Sequence, residues 1–176
     1  MKQKKSQVWV ETAIYTVIGI SIIAILLTIV TPQIEKIKDK GTVEQTMNAL
    51  EVLNDKINEV SQTSGNIRIV EFKIVKGTLT IDSVSDSITY VLENSKLKLS
   101  EVGEEIKQGN VIIKTEKQGS NFKIILKINF ENMDMTYDGA DAEKILQAGS
   151  IPYKIQIVNV GDNGLDDKVH LDFGLL

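Results

Sequence analysis

The sequence predicts an α+β protein: a long N-terminal helix, transmembrane in its first half and amphipathic in its second, followed by an antiparallel β-sandwich-like head. Three observations carry this reading. Residues 13–30 contain no charged side chain. The apolar residues then thin to a stripe at helical spacing that reaches Val60, and from Ile67 onward their period changes to two. The chain thus divides into a short basic stretch over residues 1–6, a helix over 7–64 (8–30 transmembrane, 31–64 amphipathic stalk) and a β-rich head over 65–176.

The eighteen uncharged residues from Ala13 to Val30 make a helix of roughly 27 Å at ~1.5 Å per residue, close to the ~30 Å hydrocarbon core of a bilayer. Lys2, Lys4 and Lys5 precede the run, whereas Lys36, Lys38 and Lys40 after it are interleaved with Glu35 and Asp39. This asymmetry places the N-terminus in the cytoplasm and the head outside. A cleaved secretory signal would have a shorter run and a small-x-small site at its far end; here the run leads into Thr31-Pro32-Gln33 and a helical pattern. Trp9 and Tyr15 are amphipathic side chains suited to the membrane boundary.

A plain signal anchor does not account for Glu11, a carboxylate at the mouth of the apolar run. Lys4-Lys5-Ser6, then Gln7, then Glu11, then the long apolar run resemble the prepilin-type signal of type IV pilins, in the archaeal form with glutamine after the cut and glutamate at the fifth mature position. Trp9 stands where that form often has a small residue. The resemblance covers about the first 31 residues. It implies a leader of residues 1–6, cleavage between Ser6 and Gln7 by a membrane prepilin peptidase, and an apolar helix that stays attached. It also implies an assembly ATPase with its membrane platform, copies of the chain itself and membrane lipid as partners. A carboxylate in hydrocarbon costs about 2.5–3.5 kcal/mol on insertion scales and normally has a partner. Cleavage before Gln7 would create an α-ammonium one turn away, on the same chain or on a neighbour, where the pair would fix register between helices.

After Val30 the stripe runs Ile34, Ile37, then Val43, Met47, Leu50, Leu53, Ile57 and Val60, interrupted at Asp39-Lys40-Gly41. Thr42-Val43-Glu44-Gln45 has capping-box spacing, so the helix is expected to restart or flex at Thr42. Pro32 is expected to kink it, and Ser64-Gly65-Asn66 to end it.

In the head, Phe122, Ile124, Leu126, Ile128 and Phe130 alternate, as do Tyr153, Ile155 and Ile157, and Val169, Leu171 and Phe173. Ile67-Arg68-Ile69 and Phe72-Lys73-Ile74 suggest a strand irregular at Val70. Further strands are expected at 78–82, 87–93 and 111–116, about seven in all, with turns at Gln118-Gly119-Ser120-Asn121 and Gly161-Asp162-Asn163-Gly164. Asp141 to Gln147 reads as a short helix beside the sheet.

The chemistry-bearing residues exclude most enzymatic readings. The chain has no cysteine and a single histidine, so thiol nucleophiles, disulfides and paired-histidine metal sites are ruled out. His170 lies on the polar face of a strand and reads as a surface histidine. Asp134, Asp138 and Asp141 cluster in one loop and Asp162, Asp166 and Asp167 in another, but neither follows EF-hand spacing. No residue is placed for catalysis, and no cofactor or metal is expected. The net charge of −4, which becomes −7 once the three leader lysines are gone, argues against nucleic acid as a partner. The expected function is a structural subunit of an archaeal pilus-like surface filament, stored in the membrane and then displayed at the cell surface. The alternative is a single-pass membrane-anchored β-sandwich that binds a ligand or partner outside the cell.

Overall fold

In the computed structural model, residues 2–161 and 168–176 are described, with side chains from Val8 onward. One helix, α1 (Lys2–Ser61), is followed by ten strands: β1 (Ile67–Phe72), β2 (Thr78–Asp82), β3 (Ser87–Ser95), β4 (Glu105–Gln108), β5 (Val111–Gln118), β6 (Asn121–Asn129), β7 (Met133–Tyr137), β8 (Glu143–Gln147), β9 (Tyr153–Gly161) and β10 (Val169–Leu175). The chain forms two compact units, residues 1–38 and 39–176.

In the second unit the strands form a four-stranded sheet in the order β1-β9-β10-β7 and a six-stranded sheet in the order β4-β5-β6-β3-β2-β8. The expected antiparallel architecture holds in every described ladder except β7 with β10, which run parallel from Val169↔Met133 to Phe173↔Tyr137. The stripe from Val43 to Val60 is buried, and it shares one core with the inward side chains of both sheets, among them Phe72, Tyr90, Ile124, Leu126, Ile157 and Phe173.

The helix does not restart at Thr42. It runs without a break through Asp39-Lys40-Gly41 and through Pro32, and Thr42 accepts an ordinary in-helix bond from the Thr46 hydroxyl (2.8 Å) instead of opening a new helix. Asp39 occupies a slot of the buried stripe, four residues before Val43. Its carboxylate is buried yet paired, accepting from Lys76 Nζ at 2.6 Å and Ser95 Oγ at 2.7 Å. The helix ends at Ser61, three residues before the expected stop. The buried Asn159 side chain from β9 donates Nδ2 to the Val60 and Ser61 carbonyls (2.9 and 3.2 Å), two of the acceptors a helix end leaves without partners. Glu59 accepts Arg68 at 2.7 Å and Lys56 at 2.6 Å, which fastens the last turns to β1 and holds the Glu59 carboxyl below its usual range, through the Lys56 bond first and Arg68 second.

Among the strands, the apparent irregularity at Val70 is no bulge, for β1 pairs with β9 in unbroken register. Its inward set is Val70 and Phe72, while Ile67 and Ile69 face solvent. The expected helix over Asp141–Gln147 is strand β8, an edge paired antiparallel with β2. Leu146 points inward and Ile145 outward, and the backbone bonds of so short a segment are better met by an existing sheet edge than by an isolated helical turn. The β5–β6 hairpin closes at Gly119-Ser120 as expected, with Gly119 at positive φ. The turn expected after Gly161 lies outside the described residues.

Tyr90 on β3 is fully buried and donates its hydroxyl to the Lys76 carbonyl. Burial, with the Asp39 carboxylate adding to it, pushes the phenol up to about 12 against a Thr46 hydrogen bond that lowers it. An unfolded tyrosine loses its proton near 10. The contribution of Tyr90 is therefore complete below pH 10 and is lost as pH rises from about 10 to 12, up to about 3 kcal/mol at ~1.4 kcal/mol per unit. Denaturant unfolding at stepped alkaline pH should show this fall. Tyr90→Phe should lose about 1 kcal/mol at neutral pH for the missing hydrogen bond and should narrow the gap to the native chain above pH 10. An unchanged gap would count against the assignment.

Candidate functional site

The first unit is a helix with no core of its own. Isoleucine, valine and threonine dominate residues 8–30, and these β-branched types are mediocre helix formers in water. In lipid the constraint is different, because a spanning segment must satisfy every backbone group internally and a helix does so. Among the described residues α1 is the one helix long and apolar enough to cross a membrane, and none of its apolar window is buried. Ile20, Ile22, Ile23 and Ile25, which project to different sides of the helix, are each more than half exposed.

The serine and threonine hydroxyls in this segment are accounted for locally. Thr12 donates to the Val8 carbonyl (2.9 Å), Thr16 to Thr12 (2.8 Å), Ser21 to Val17 (2.8 Å), Thr28 to Ile25 (2.7 Å) and Thr31 to Leu27 (2.7 Å). Each folds back onto its own helix, so none presents an unsatisfied donor to a lipid or a neighbouring helix. The apolar count alone does not reveal this; the spacing of hydroxyls one turn after a carbonyl is the signal that does.

Glu11 is exposed and has no ion-pair or hydrogen-bond partner among the described residues. The backbone of Ser6 and Gln7 lies within α1, which carries Gln7 one turn, ~6 Å, from Glu11. Trp9 and Tyr15 are both about three-quarters exposed, 77% and 73%. Tyr15 follows Glu11 by four residues and so shares its face of the helix.

The titratable groups of the head are paired off rather than gathered. His170 is not the freely exposed histidine expected: its side chain is only 14% exposed, and Nδ1 lies 2.6 Å from Asp134 Oδ2 on the adjacent parallel strand. Asp172, the next outward residue of β10, accepts from the Thr136 hydroxyl (2.7 Å) and the Gly139 amide (2.8 Å). Asp138 stands at positive φ and donates its amide to the Phe173 carbonyl. Among the described residues no group of three or more His, Asp and Glu side chains is placed to hold a metal. Asp162, Asp166 and Asp167 lie outside the described residues.

No family model, curated protein or solved structure matches this chain.

A charge in the apolar window should be costly where one on the stalk is not. Ile23→Lys, at about 2.5–3.5 kcal/mol for a lysine at mid-span, should shift the chain from the carbonate-resistant membrane fraction to the soluble or aggregated fraction. Val52→Lys, at an exposed stalk position, should leave fractionation unchanged. Equal behaviour of the two variants would exclude a membrane span.

Proposed function

We propose that this chain is a structural subunit of an archaeal type IV pilus-like filament, held in the membrane as a precursor and assembled through its N-terminal helix. The observation that carries the reading is Glu11: a carboxylate without a described partner, one turn after Gln7, at the head of a helix whose apolar side chains are exposed all round. Such a helix is at rest only in hydrocarbon or against other apolar helices. In a bundle its serine and threonine hydroxyls would compete for no intersubunit bonds, leaving Glu11 as the charged group able to set axial register.

Under this proposal a prepilin peptidase cuts between Ser6 and Gln7 on the cytoplasmic side and removes Lys2, Lys4 and Lys5 with the leader. The new Gln7 ammonium supplies the charge that Glu11 lacks. An ion pair of this kind adds little stability once its desolvation is counted, but a mis-registered neighbour leaves the carboxylate unpaired, which is the larger penalty. An ATPase and its membrane platform would extract subunits from the bilayer, and the β heads would lie on the outside of the filament at the cell surface.

Mass spectrometry of the membrane-purified protein should show a mature N-terminus at Gln7, and Glu11→Ala should remain inserted and processed yet yield no filaments by electron microscopy. A chain that begins at residue 1 or 2, stays monomeric in detergent and is indifferent to Glu11→Ala would instead be a single-pass anchor presenting its head to a ligand.

A further inference from the structure

The head holds a cavity of about 230 Å³ whose lining is dominated by one residue type. Five of its ten lining residues are asparagines, Asn54, Asn58, Asn110, Asn129 and Asn132, out of eleven asparagines in the chain. They converge from distant parts of the sequence. Asn54 and Asn58 lie one turn apart on α1; Asn110 belongs to the β4–β5 turn; Asn129 ends β6 and Asn132 precedes β7. Gly109 allows the β4–β5 turn to approach the helix, for it has φ +59° and a Cβ there would stand 2.7 Å from Glu51 Oε1.

Asn54 is 95% buried, with 5% of its surface exposed, and its Nδ2 has no hydrogen-bond partner. A buried amide donor left unpaired costs about 1–3 kcal/mol, and among the described residues it is the one buried side-chain nitrogen or oxygen in that state. Each carboxamide offers two donors and an acceptor at fixed planar geometry and carries no charge. Lys107 and Glu131 at the rim have opposite signs, so the cavity has no net preference for an anion or a cation. Met133, half-buried, adds a small apolar patch, while Ile128 and Phe130 beside it turn their side chains into the core.

We infer that this cavity binds one unit of a neutral saccharide. A sugar ring presents hydroxyls that both donate and accept around its edge, matching the amides that dominate the lining, and a small C–H face that the Met133 patch can meet. The volume is below the ~300 Å³ at which drug-sized pockets begin, which suits a single ring rather than a chain. None of the five asparagines is followed by the x-Ser/Thr of a glycan acceptor, so they serve as amides and not as attachment points. The inference does not rest on the filament reading, since a monomer carries the whole site.

The test uses the full chain in micelles of a phosphocholine detergent, which has no sugar headgroup, with the methyl glycosides of glucose, galactose, mannose and N-acetylglucosamine as probes. Saturation-transfer NMR should show binding of at least one. Asn58→Ala and Asn132→Ala, at exposed positions that leave the core untouched, should each weaken it by about tenfold, which is ~1.4 kcal/mol. Asn54→Leu should abolish binding without lowering the unfolding temperature. No transfer to any of the four glycosides would overturn the inference. So would binding that persists in all three variants, or a preference for the anionic methyl glucuronide.

Discussion

The second unit depends on how one buried carboxylate is satisfied. Asp39 is the one charged residue buried among those described, and it lies in the helical stripe where an apolar side chain would otherwise fit. Lys76, just before β2, and Ser95, at the end of β3, both reach it. The same two residues are further engaged: the Lys76 carbonyl accepts the Tyr90 hydroxyl, and Ser95 Oγ accepts the Leu97 amide. Lys76 is half exposed, with 49% of its side chain accessible, so the pair is not sealed and its net stabilisation is modest. Its effect is on specificity. An apolar stripe can slide along a sheet by one turn and still bury its leucines, but a slide of α1 would strand Asp39 without partners, a cost larger than the pair itself contributes.

That constraint explains how a single helix serves two kinds of surroundings. From Ala13 to Val30 the side chains carry no charge and the run is apolar, and none of the described residues covers it. From Val43 they are apolar on one face only, and the head covers that face completely. The far end of the buried half is fixed as firmly as the near end, because Asn159 caps the final carbonyls and Arg68 holds Glu59. The stripe is thus pinned by polar contacts at both ends and by apolar packing between them.

The parts of this fold legible in the sequence are those in which burial leaves a period. Val43 to Val60 repeats at three and four, Phe122 to Phe130 at two, and both proved to be core except for Phe122, which is half-buried at the end of its strand. The parts that were not legible depend on partners far away in the chain. Asp39-Lys40-Gly41 reads as a break because the residues that satisfy Asp39 lie 37 and 56 positions later. Asn159, which ends the helix, is 98 positions from Ser61. β8 carries two adjacent apolar residues, the buried Leu146 and the exposed Ile145, so the alternation that its one buried face would otherwise leave is masked. The parallel pairing of β7 with β10 joins segments 36 residues apart, and the burial of His170 follows from it. At the N-terminus the spacing of the candidate residues is local and so can be read from the sequence, with Gln7 and Glu11 one turn apart on one helix. The asparagine cavity was not, since α1 and two turns meet only in three dimensions.

Glu11 and Asp39 together show what this helix requires of a carboxylate in apolar surroundings. Asp39 lies against the core, and the chain supplies an ammonium and a hydroxyl from its own head, each at less than 3 Å. Glu11 lies at the head of an equally apolar run and has neither among the described residues. The difference is not one of tolerance, since the desolvation of a carboxylate is costly at both ends. It is one of source: Asp39 is satisfied in cis by folding, whereas under the proposed reading Glu11 is satisfied only after a cut creates the Gln7 ammonium and a neighbouring helix brings it within reach. On that reading the precursor is the state in which Glu11 still waits at the membrane boundary, near enough to water to remain solvated. On the same reading, assembly moves it out of water and makes its pairing obligatory.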